Sequence, residues 1–315
     1  NALLQLASAL RAMDRIKEYS TKIECRPLNR LVSGLGSGAE VAGIIEAEIR
    51  EDAPVAVNKG GVFKEGINAE LDEYQQSLSG IVRERATQFV LSIVVPVYNE
   101  EHTIARVISR IAALPLNTEI IVVDDDSTDG TREVLSRLTD VSNLKIYLKN
   151  PNQGKGAALR TGFAQASGDF VVIQDADLEY DPRDIPRLLK PLLSNQADVV
   201  YGSRYIGETP QDGSLVHRMG NAVLTGASNL MNGLKLTDME TCYKAFTREV
   251  IDSITIDQDR FGIEPEITAK LARRGFRFVE VPISYHSRSY QEGKKIGVKD
   301  LFNAIYCIGR YGVSD

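Results

Sequence analysis

The sequence predicts an α/β protein with a doubly wound, mostly parallel sheet, preceded by a small α-helical N-terminal segment. From residue 89 onward, short β-branched apolar runs alternate with amphipathic helical patterns at the spacing of parallel βα units. Residues 1–88 instead show helical periodicity without strand alternation. We therefore place a domain boundary near residue 88, with a helical appendage over 1–88 and the α/β domain over 89–315.

The elements follow one another in a regular order along the chain. Apolar, β-branched runs predict strands at Phe89–Val97, Glu119–Val123, Leu144–Leu148, Asp169–Gln174 and Asp198–Tyr201. Three- and four-residue spacing predicts helices at Glu101–Ala113, Gly130–Leu138, Gly154–Ala166, Arg183–Leu193 and Lys299–Gly312. In the N-terminal segment, helical patterns cover Leu3–Ile16, Val41–Glu51 and Ala69–Arg85, and Asn58–Gly66 is turn-rich.

Composition restricts the class of protein. The 315 residues are 43% hydrophobic and 25% charged, which is typical of a soluble globular chain. The three cysteines form no CxxC pair, so neither a zinc site nor a disulfide framework is indicated. Apolar runs fall short of the ~20 residues that span a bilayer, which predicts a cytoplasmic protein. A net charge of −6 argues against nucleic-acid binding.

Acidic residues follow three of the predicted strands. Glu100 follows the first, the run DDDSTDGT (124–131) the second, and DADLE (175–179) the fourth. Ligands bind beyond the carboxyl ends of parallel strands, and carboxylates gathered there repel unless a cation lies among them. Helix capping by Ser127 or Asp129 would explain one such end, but not three. The Asp-x-Asp pair favours Mg²⁺ or Mn²⁺, which would neutralise a diphosphate leaving group.

Other phosphate-binding signatures are weak or missing from the sequence. No Walker A motif suggests phosphoryl transfer, and no GxGxxG follows a strand. The segment NQGKG (152–156) leads into a predicted helix and would either approach a phosphate or sugar, or be an ordinary helix start.

Several longer motifs, in this order, identify a family. They are PVYNE (96–100), DDDSTDGT (124–131), NQGKG (152–156), QDADLEYDP (174–182), GSRY (202–205), TDMETCYKAF (237–246), FGIEPEIT (261–268) and VPISYHSRSYQEGKKIG (281–297). Together they make residues 89–313 resemble family 2 glycosyltransferases of GT-A fold. The resemblance is to the branch of dolichol-phosphate mannose synthases and polyprenyl-phosphate glycosyltransferases.

The resemblance implies roles for residues on the donor side. The nucleotide would lie against Pro96, Tyr98, Glu100, Val123 and Asp125, although Val123 suits the core equally well. Asp175, Asp177 and Glu179 would hold the metal, with Asp177 counted as catalytic, and the small Ala176 would let the backbone approach the donor. Arg288 and Lys294 would close over the diphosphate, which suits a guanidinium fork and an ammonium.

On the acceptor side, Arg204 would meet a phosphate, and Asp238 and Glu240 are the candidate carboxylates. Asp238 is either a general base or a residue that positions the acceptor. A hydroxyl acceptor requires a base, whereas a phosphate, with a second pKa of about 6, is already ionised near neutral pH. Glu264 and Glu266 open a helix, where acids favour the helix dipole, and the three histidines are assigned no chemistry.

The function that the resemblance implies is a metal-dependent, inverting transfer of a hexose from a GDP-mannose- or UDP-glucose-type donor to polyprenyl or dolichyl phosphate. A saccharide hydroxyl acceptor and nucleotidyl transfer are the alternatives among enzymes. Such a lipid acceptor implies peripheral contact with the inner face of a membrane. The stripe Leu301, Ile305, Ile308 and Tyr311 would either rest on a bilayer or pack on the core.

Residues 1–88 carry a second, less specific resemblance. The stretch EIREDAPVAVNKGGVFKEGINAELDEYQQSLSG (48–80) and the following RERA (83–86) resemble part of the core and lever region of the mismatch-repair ATPase MutS. The segment contains no Walker A motif and carries a slight acidic excess. We expect a non-catalytic appendage that binds no DNA, with a DNA-repair binding module as the alternative from a different class.

Overall fold

The computed structural model describes residues 80–85, 87–206, 215–287 and 298–313. Its strands are β1 (Leu91–Val97), β2 (Thr118–Asp124), β3 (Leu144–Leu148), β4 (Phe170–Ile173), β5 (Val199–Ser203), β6 (Lys244–Thr247) and β7 (Phe278–Pro282). Its α-helices are α1 (Gly80–Arg85), α2 (Ile104–Ala112), α3 (Thr131–Ser136), α4 (Lys155–Gln165), α5 (Ile185–Leu193), α6 (Leu215–Asn232), α7 (Arg248–Ser253), α8 (Ile263–Arg273) and α9 (Val298–Val313).

The strands form one seven-stranded sheet in the order β3-β2-β1-β4-β6-β5-β7. β1 pairs in parallel with β2 and β4, β2 with β3, and β5 with β7. β6 runs antiparallel between β4 and β5. The predicted α/β fold with a mostly parallel sheet is confirmed, and the five predicted strands and five predicted helices lie where the pattern placed them, with ends that differ by a few residues.

Apolar side chains cover both faces of the sheet. Along β1, Leu91, Ile93 and Val95 pack into one buried cluster with α2 and α5, while Val94 joins a second cluster with α4 and α8. Successive strand residues point to opposite faces, so a strand between two helical layers is apolar throughout. This arrangement explains the near-continuous apolar runs in the sequence.

Helix α1 is the described end of the N-terminal segment. Its Val82 is fully buried in the same cluster as α2 and α5, and Arg85 Nη1 donates to the carbonyl of Leu193 at 2.9 Å. Residues 80–85 therefore pack on the α/β domain. The predicted helices before residue 80 and the resemblance to MutS lie outside the described residues, and the boundary near residue 88 stays a prediction.

Candidate active site

The parallel register brings the carboxyl ends of β1, β2 and β4 to one edge of the sheet. The loop after β1 is fastened to the loop after β2: Asn99 N donates to Ser127 Oγ at 2.9 Å, and Thr128 N donates to Asn99 Oδ1 at 2.8 Å. Tyr98, which precedes Asn99, is 48% exposed, so its ring is available to a ligand. Pro96 and Glu100 are half-buried beside it.

The predicted nucleotide residues of β2 have different surroundings. Val123 is fully buried among core side chains, which agrees with its alternative role in packing. Asp125 is also buried, and its carboxylate accepts hydrogen bonds from Gln153 N at 3.0 Å and Gly154 N at 2.5 Å. Lys149 Nζ lies 3.2 Å from the same carboxylate. Asp125 therefore holds the NQGKG loop in place.

The glycines of NQGKG allow close packing against the segment that precedes α8. A Cβ on Gly156 would lie 2.1 Å from the carbonyl oxygen of Gln258, and Gly154 adopts φ 107° against Asp259. Ala157 N donates to the Asp259 carbonyl at 3.0 Å. The amides of residues 153, 154 and 157 thus bond to protein groups, which favours a structural role for this loop over a phosphate cradle.

Basic side chains of the chain itself lie among the acids. Arg132 Nε is 2.6 Å from Asp124 Oδ2, and its Nη2 is 3.4 Å from Asp126 Oδ1. Lys155 Nζ is 2.9 Å from Asp175 Oδ1. Together with Lys149, these cations offset much of the repulsion that the sequence pattern implied.

The DADLE segment turns sharply after β4. Asp177 Oδ1 accepts a hydrogen bond from Glu179 N at 3.1 Å, and Leu178 between them has φ 63°. Glu179 is buried and its Oε2 accepts a hydrogen bond from Tyr285 OH at 2.9 Å. Ala176 is buried in the core next to this turn.

The donor set at this turn fits a divalent cation of the magnesium type. Asp175 and Asp177 supply hard carboxylate oxygens, and Mg²⁺ typically takes one or two carboxylates together with substrate phosphates. Within the described ranges, no three acidic, histidine or cysteine side chains gather around one point that would hold a metal alone. The two aspartates therefore suit an ion whose remaining positions are filled by a diphosphate and water. The third predicted ligand, Glu179, is committed to Tyr285 in this conformation.

Arg204 and Asp238, both predicted for the acceptor side, contact each other. Arg204 follows β5, and its Nε and Nη2 donate to the two oxygens of Asp238 at 2.7 and 2.8 Å. The Arg204 backbone N also donates to Asp238 Oδ2 at 3.1 Å. Asp238 is fully buried, and Glu280 fixes its backbone by accepting from Asp238 N at 3.0 Å. Asp238 is thus engaged as a partner of Arg204, which suits a positioning role better than that of a free base.

A buried group of charges lies beneath these residues. Burial, followed by the nearby Glu264, raises the pKa of Glu240 to about 8, and Glu240 Oε1 is enclosed without a hydrogen-bond partner. Burial lowers the pKa of Lys244, whose Nζ donates to the carbonyls of Met239 and Thr241. Lys155 joins this group through Glu264, 3.6 Å away. No role for Lys155 or Lys244 was predicted from the sequence, because residue spacing alone does not bring them together.

The two acids that open α8 behave differently from each other. Glu266 is fully buried and accepts from Asp257 N at 2.6 Å, Gln258 N at 2.8 Å and Lys270 Nζ at 2.7 Å, so it is a structural residue. Glu264 faces Lys155 instead, and its Oε2 is buried without a hydrogen-bond partner. The helix-dipole explanation is therefore incomplete for Glu264.

The C-terminal part of the site is described in part. Arg288 and Lys294, predicted to close over the diphosphate, lie outside the described residues. On α9, Ile305, Ile308 and Tyr311 pack against the core formed with α6 and α8, as the core-packing alternative predicted, while the side chain of Leu301 lies outside what the structure describes. In the ranges that the structure describes, none of the helices is both long and apolar enough for a membrane span.

Sheet order, the antiparallel β6 and the acidic carboxyl edge define a class: the GT-A-like α/β fold of sugar-transferring enzymes. Solved structures with this fold include glucosyl-3-phosphoglycerate synthase from Mycobacterium tuberculosis with phosphoglyceric acid, at a TM-score of 0.58 and 23% identity. That match covers 78% of this chain and 85% of the other. A second structure of the synthase, with Mn²⁺, UDP and phosphoglyceric acid, matches at a TM-score of 0.56 and 23% identity, covering 78% and 83%.

The family model described as glycosyl transferase family 2 matches residues 92–255. The chain belongs to this family and is a glycosyltransferase. It is 32% identical over 223 residues to undecaprenyl-phosphate 4-deoxy-4-formamido-L-arabinose transferase of Aeromonas hydrophila, covering 69% of this chain and 66% of that protein. It is also 32% identical over 225 residues to dolichol-phosphate mannosyltransferase of Pyrococcus furiosus, covering 70% and 63%. The chain thus spans just under two thirds of the length of these relatives.

Proposed function

We propose that this glycosyltransferase moves a hexose from a nucleotide sugar to a polyprenyl phosphate, with inversion and with the help of a divalent cation. The observation that carries the proposal is the Asp238–Arg204 pair at the acceptor side: it presents a guanidinium suited to a phosphate and leaves no free base at Asp238. The names of the curated relatives, which are polyprenyl-phosphate transferases, support the same acceptor class.

In this proposal the donor binds at the edge formed by β1, β2 and β4. Tyr98 and Glu100 face the base and ribose, with Pro96 and Asp125 forming the floor behind them. Asp175 and Asp177 hold the cation, and Arg288 and Lys294 complete the diphosphate site. A divalent cation supplies charge that stabilises the departing nucleoside diphosphate.

On the acceptor side, the guanidinium of Arg204 receives the phosphate. Its Nε and Nη2 are held by Asp238, so the remaining nitrogen, Nη1, points in a fixed direction. A phosphate oxygen attacks the anomeric carbon, the new C–O bond forms, and the bond to the donor diphosphate breaks with its electron pair. The attacking oxygen is already ionised near neutral pH because the second phosphate pKa is about 6. No proton has to be removed, and Asp238 orients Arg204.

The proposal is tested with the full chain, radiolabelled UDP-glucose and GDP-mannose, and either polyprenyl phosphate or a saccharide as acceptor. We expect a lipid-extractable product in the presence of Mg²⁺ or Mn²⁺ and none after chelation with EDTA. A water-soluble glycoside instead of a lipid product would refute the lipid-phosphate acceptor and support a hydroxyl acceptor.

A matched pair of variants tests the metal site. Asp177→Asn should abolish transfer while leaving the fold intact, because it removes a charged oxygen ligand. Asp169→Asn is the control, since Asp169 is exposed at the opposite end of β4, where its Oδ2 accepts from Val90 N at 2.8 Å. Equal loss of activity in both variants would contradict the proposed metal site.

A further inference from the structure

The ammonium group of Lys155 lies where three elements meet. Its Nζ is 2.9 Å from Asp175 at the end of β4, 3.6 Å from Glu264 at the start of α8, and 2.8 Å from Cys242 Sγ before β6. Burial disfavours its charged form, but Asp175 and Glu264 hold the pKa of Lys155 well above its usual value. Lys155 therefore stays positively charged next to a carboxylate proposed to bind metal.

Glu264 offers this cation a second partner. Its Oε1 lies within ion-pair range of Lys155 Nζ but beyond hydrogen-bond range, and its Oε2 is buried with no hydrogen-bond partner. A buried carboxylate oxygen left without a partner is unfavourable. A short shift of the ammonium away from Asp175 would bring it within hydrogen-bond range of the Glu264 carboxylate.

The neighbouring Glu266 shows that Glu264 is not simply a helix-opening acid. Glu266 lies two residues after Glu264 in the same first turn of α8, and its two oxygens accept hydrogen bonds from two backbone amides and from Lys270. Within the described residues, the cation in ion-pair range of the Glu264 carboxylate is Lys155, the same ammonium that pairs with Asp175, and Lys244 also acts on Glu264 through its charge.

We propose that Lys155 and a divalent cation compete for Asp175, and that Glu264 takes up the ammonium when the cation binds. Two positive groups on one small carboxylate repel each other, and the exchange removes this repulsion at Asp175. Lys155 and Glu264 are then positioning residues that set the affinity of the metal site. This inference rests on the proposed metal-dependent function.

The test is a double-variant cycle on Mn²⁺ binding to the full chain in the presence of UDP or GDP. Electron paramagnetic resonance measures the free Mn²⁺ against a protein-free blank that contains the same nucleotide. Lys155→Met should tighten Mn²⁺ binding roughly tenfold, because the competing charge is removed. Glu264→Gln should weaken it several-fold, because the ammonium loses its alternative partner. Glu249→Gln, an exposed first-turn acid on α7, should leave Mn²⁺ binding unchanged.

The double variant separates exchange from a general effect of charge. If Glu264 acts through Lys155, then Glu264→Gln has no further effect in the Lys155→Met background. If it acts only through its own field, it weakens Mn²⁺ binding equally in both backgrounds, and the exchange is refuted. Should Lys155→Met not fold, Lys155→Gln keeps a hydrogen-bond donor to Asp175 and replaces it throughout the cycle.

The same measurement distinguishes the two proposals. Wild-type protein that binds no Mn²⁺ with either nucleoside diphosphate present would overturn the metal site of the proposed function, and the exchange with it. Wild-type protein that binds Mn²⁺ but gives additive variants would overturn the exchange alone.

Discussion

Replacing Asp238 with asparagine should destabilise the protein strongly. Asp238 is fully buried and accepts three hydrogen bonds from Arg204, whose own side chain is only 14% exposed. Breaking a buried ion pair by removing one charge leaves the other uncompensated and costs about 3–5 kcal/mol. For a domain of 150–250 residues, this corresponds to a fall in melting temperature of roughly 6–20 °C.

The chain contains a matched control for this variant. Arg277 makes the same three bonds to Asp198, through its backbone N at 2.9 Å, Nε at 3.0 Å and Nη2 at 2.6 Å, but its side chain is 48% exposed. Exposed ion pairs contribute about 0–1 kcal/mol, so Asp198→Asn should lower the free energy of unfolding only slightly. The two variants differ in burial and share the bonding pattern.

Urea denaturation of both variants measures the difference. Arg204→Met combined with Asp238→Asn should cost less than the sum of the two single changes, because no charge is then left unpaired. If Asp238→Asn costs no more than Asp198→Asn, or if the double variant is additive, Asp238 does not stabilise the protein by holding Arg204.

Three further outcomes are expected from the structure. Gly156→Ala should lower the melting temperature, because the added Cβ would lie 2.1 Å from the Gln258 carbonyl oxygen. Gly220→Ala on α6 is the control: its Cβ would meet nothing within 4 Å, so the change should be neutral or stabilising. Equal melting temperatures for the two variants would contradict the expected clash at Gly156. Burial raises the pKa of Glu119, but hydrogen bonds from Lys145, Ser92 and Ser167 outweigh it and lower this pKa from 4.5 to about 2. Between pH 4.5 and about 2 the unfolded chain therefore binds more protons than the folded protein, so stability should fall as pH drops through this range. Denaturation midpoints of Glu119→Gln should fall less steeply over the same range. Glu240 should have the opposite effect on stability, because its pKa is raised from 4.5 to about 8 and the folded state therefore binds more protons between these pH values. Stability should decline as pH rises from 4.5 to about 8, and denaturation midpoints of Glu240→Gln should show a flatter decline.

The fold was predictable wherever a local pattern was strong. β1 and β2 are apolar because helices cover both faces of the sheet, and α2 shows its buried stripe through Ile104, Val107, Ile108 and Ile111. β6 was not predicted because it is only four residues long and overlaps the end of the motif TDMETCYKAF, so it gives no strand pattern of its own. Its antiparallel insertion between β4 and β5 depends on long-range pairing that no local window contains.

Only part of the candidate site could be predicted from the sequence. The acids at the ends of β1, β2 and β4 could be placed at one edge because consecutive parallel strands share their direction. The basic partners of these acids could not be predicted, because Lys155 lies 20 residues from Asp175 in sequence and Arg204 lies 34 residues from Asp238. Such pairs form only after the sheet and α8 have packed.

By itself the sequence determined the α/β class, the acidic carboxyl edge and membership of a glycosyltransferase family, because strand and helix periodicity and contiguous motifs are local properties of a chain. The tertiary structure decided which cations lie among those acids, that the glycines of NQGKG serve packing, and that Asp238 is engaged by Arg204. Those outcomes depend on burial and on distances of about 3 Å between side chains far apart in sequence, where a charge without a partner is costly.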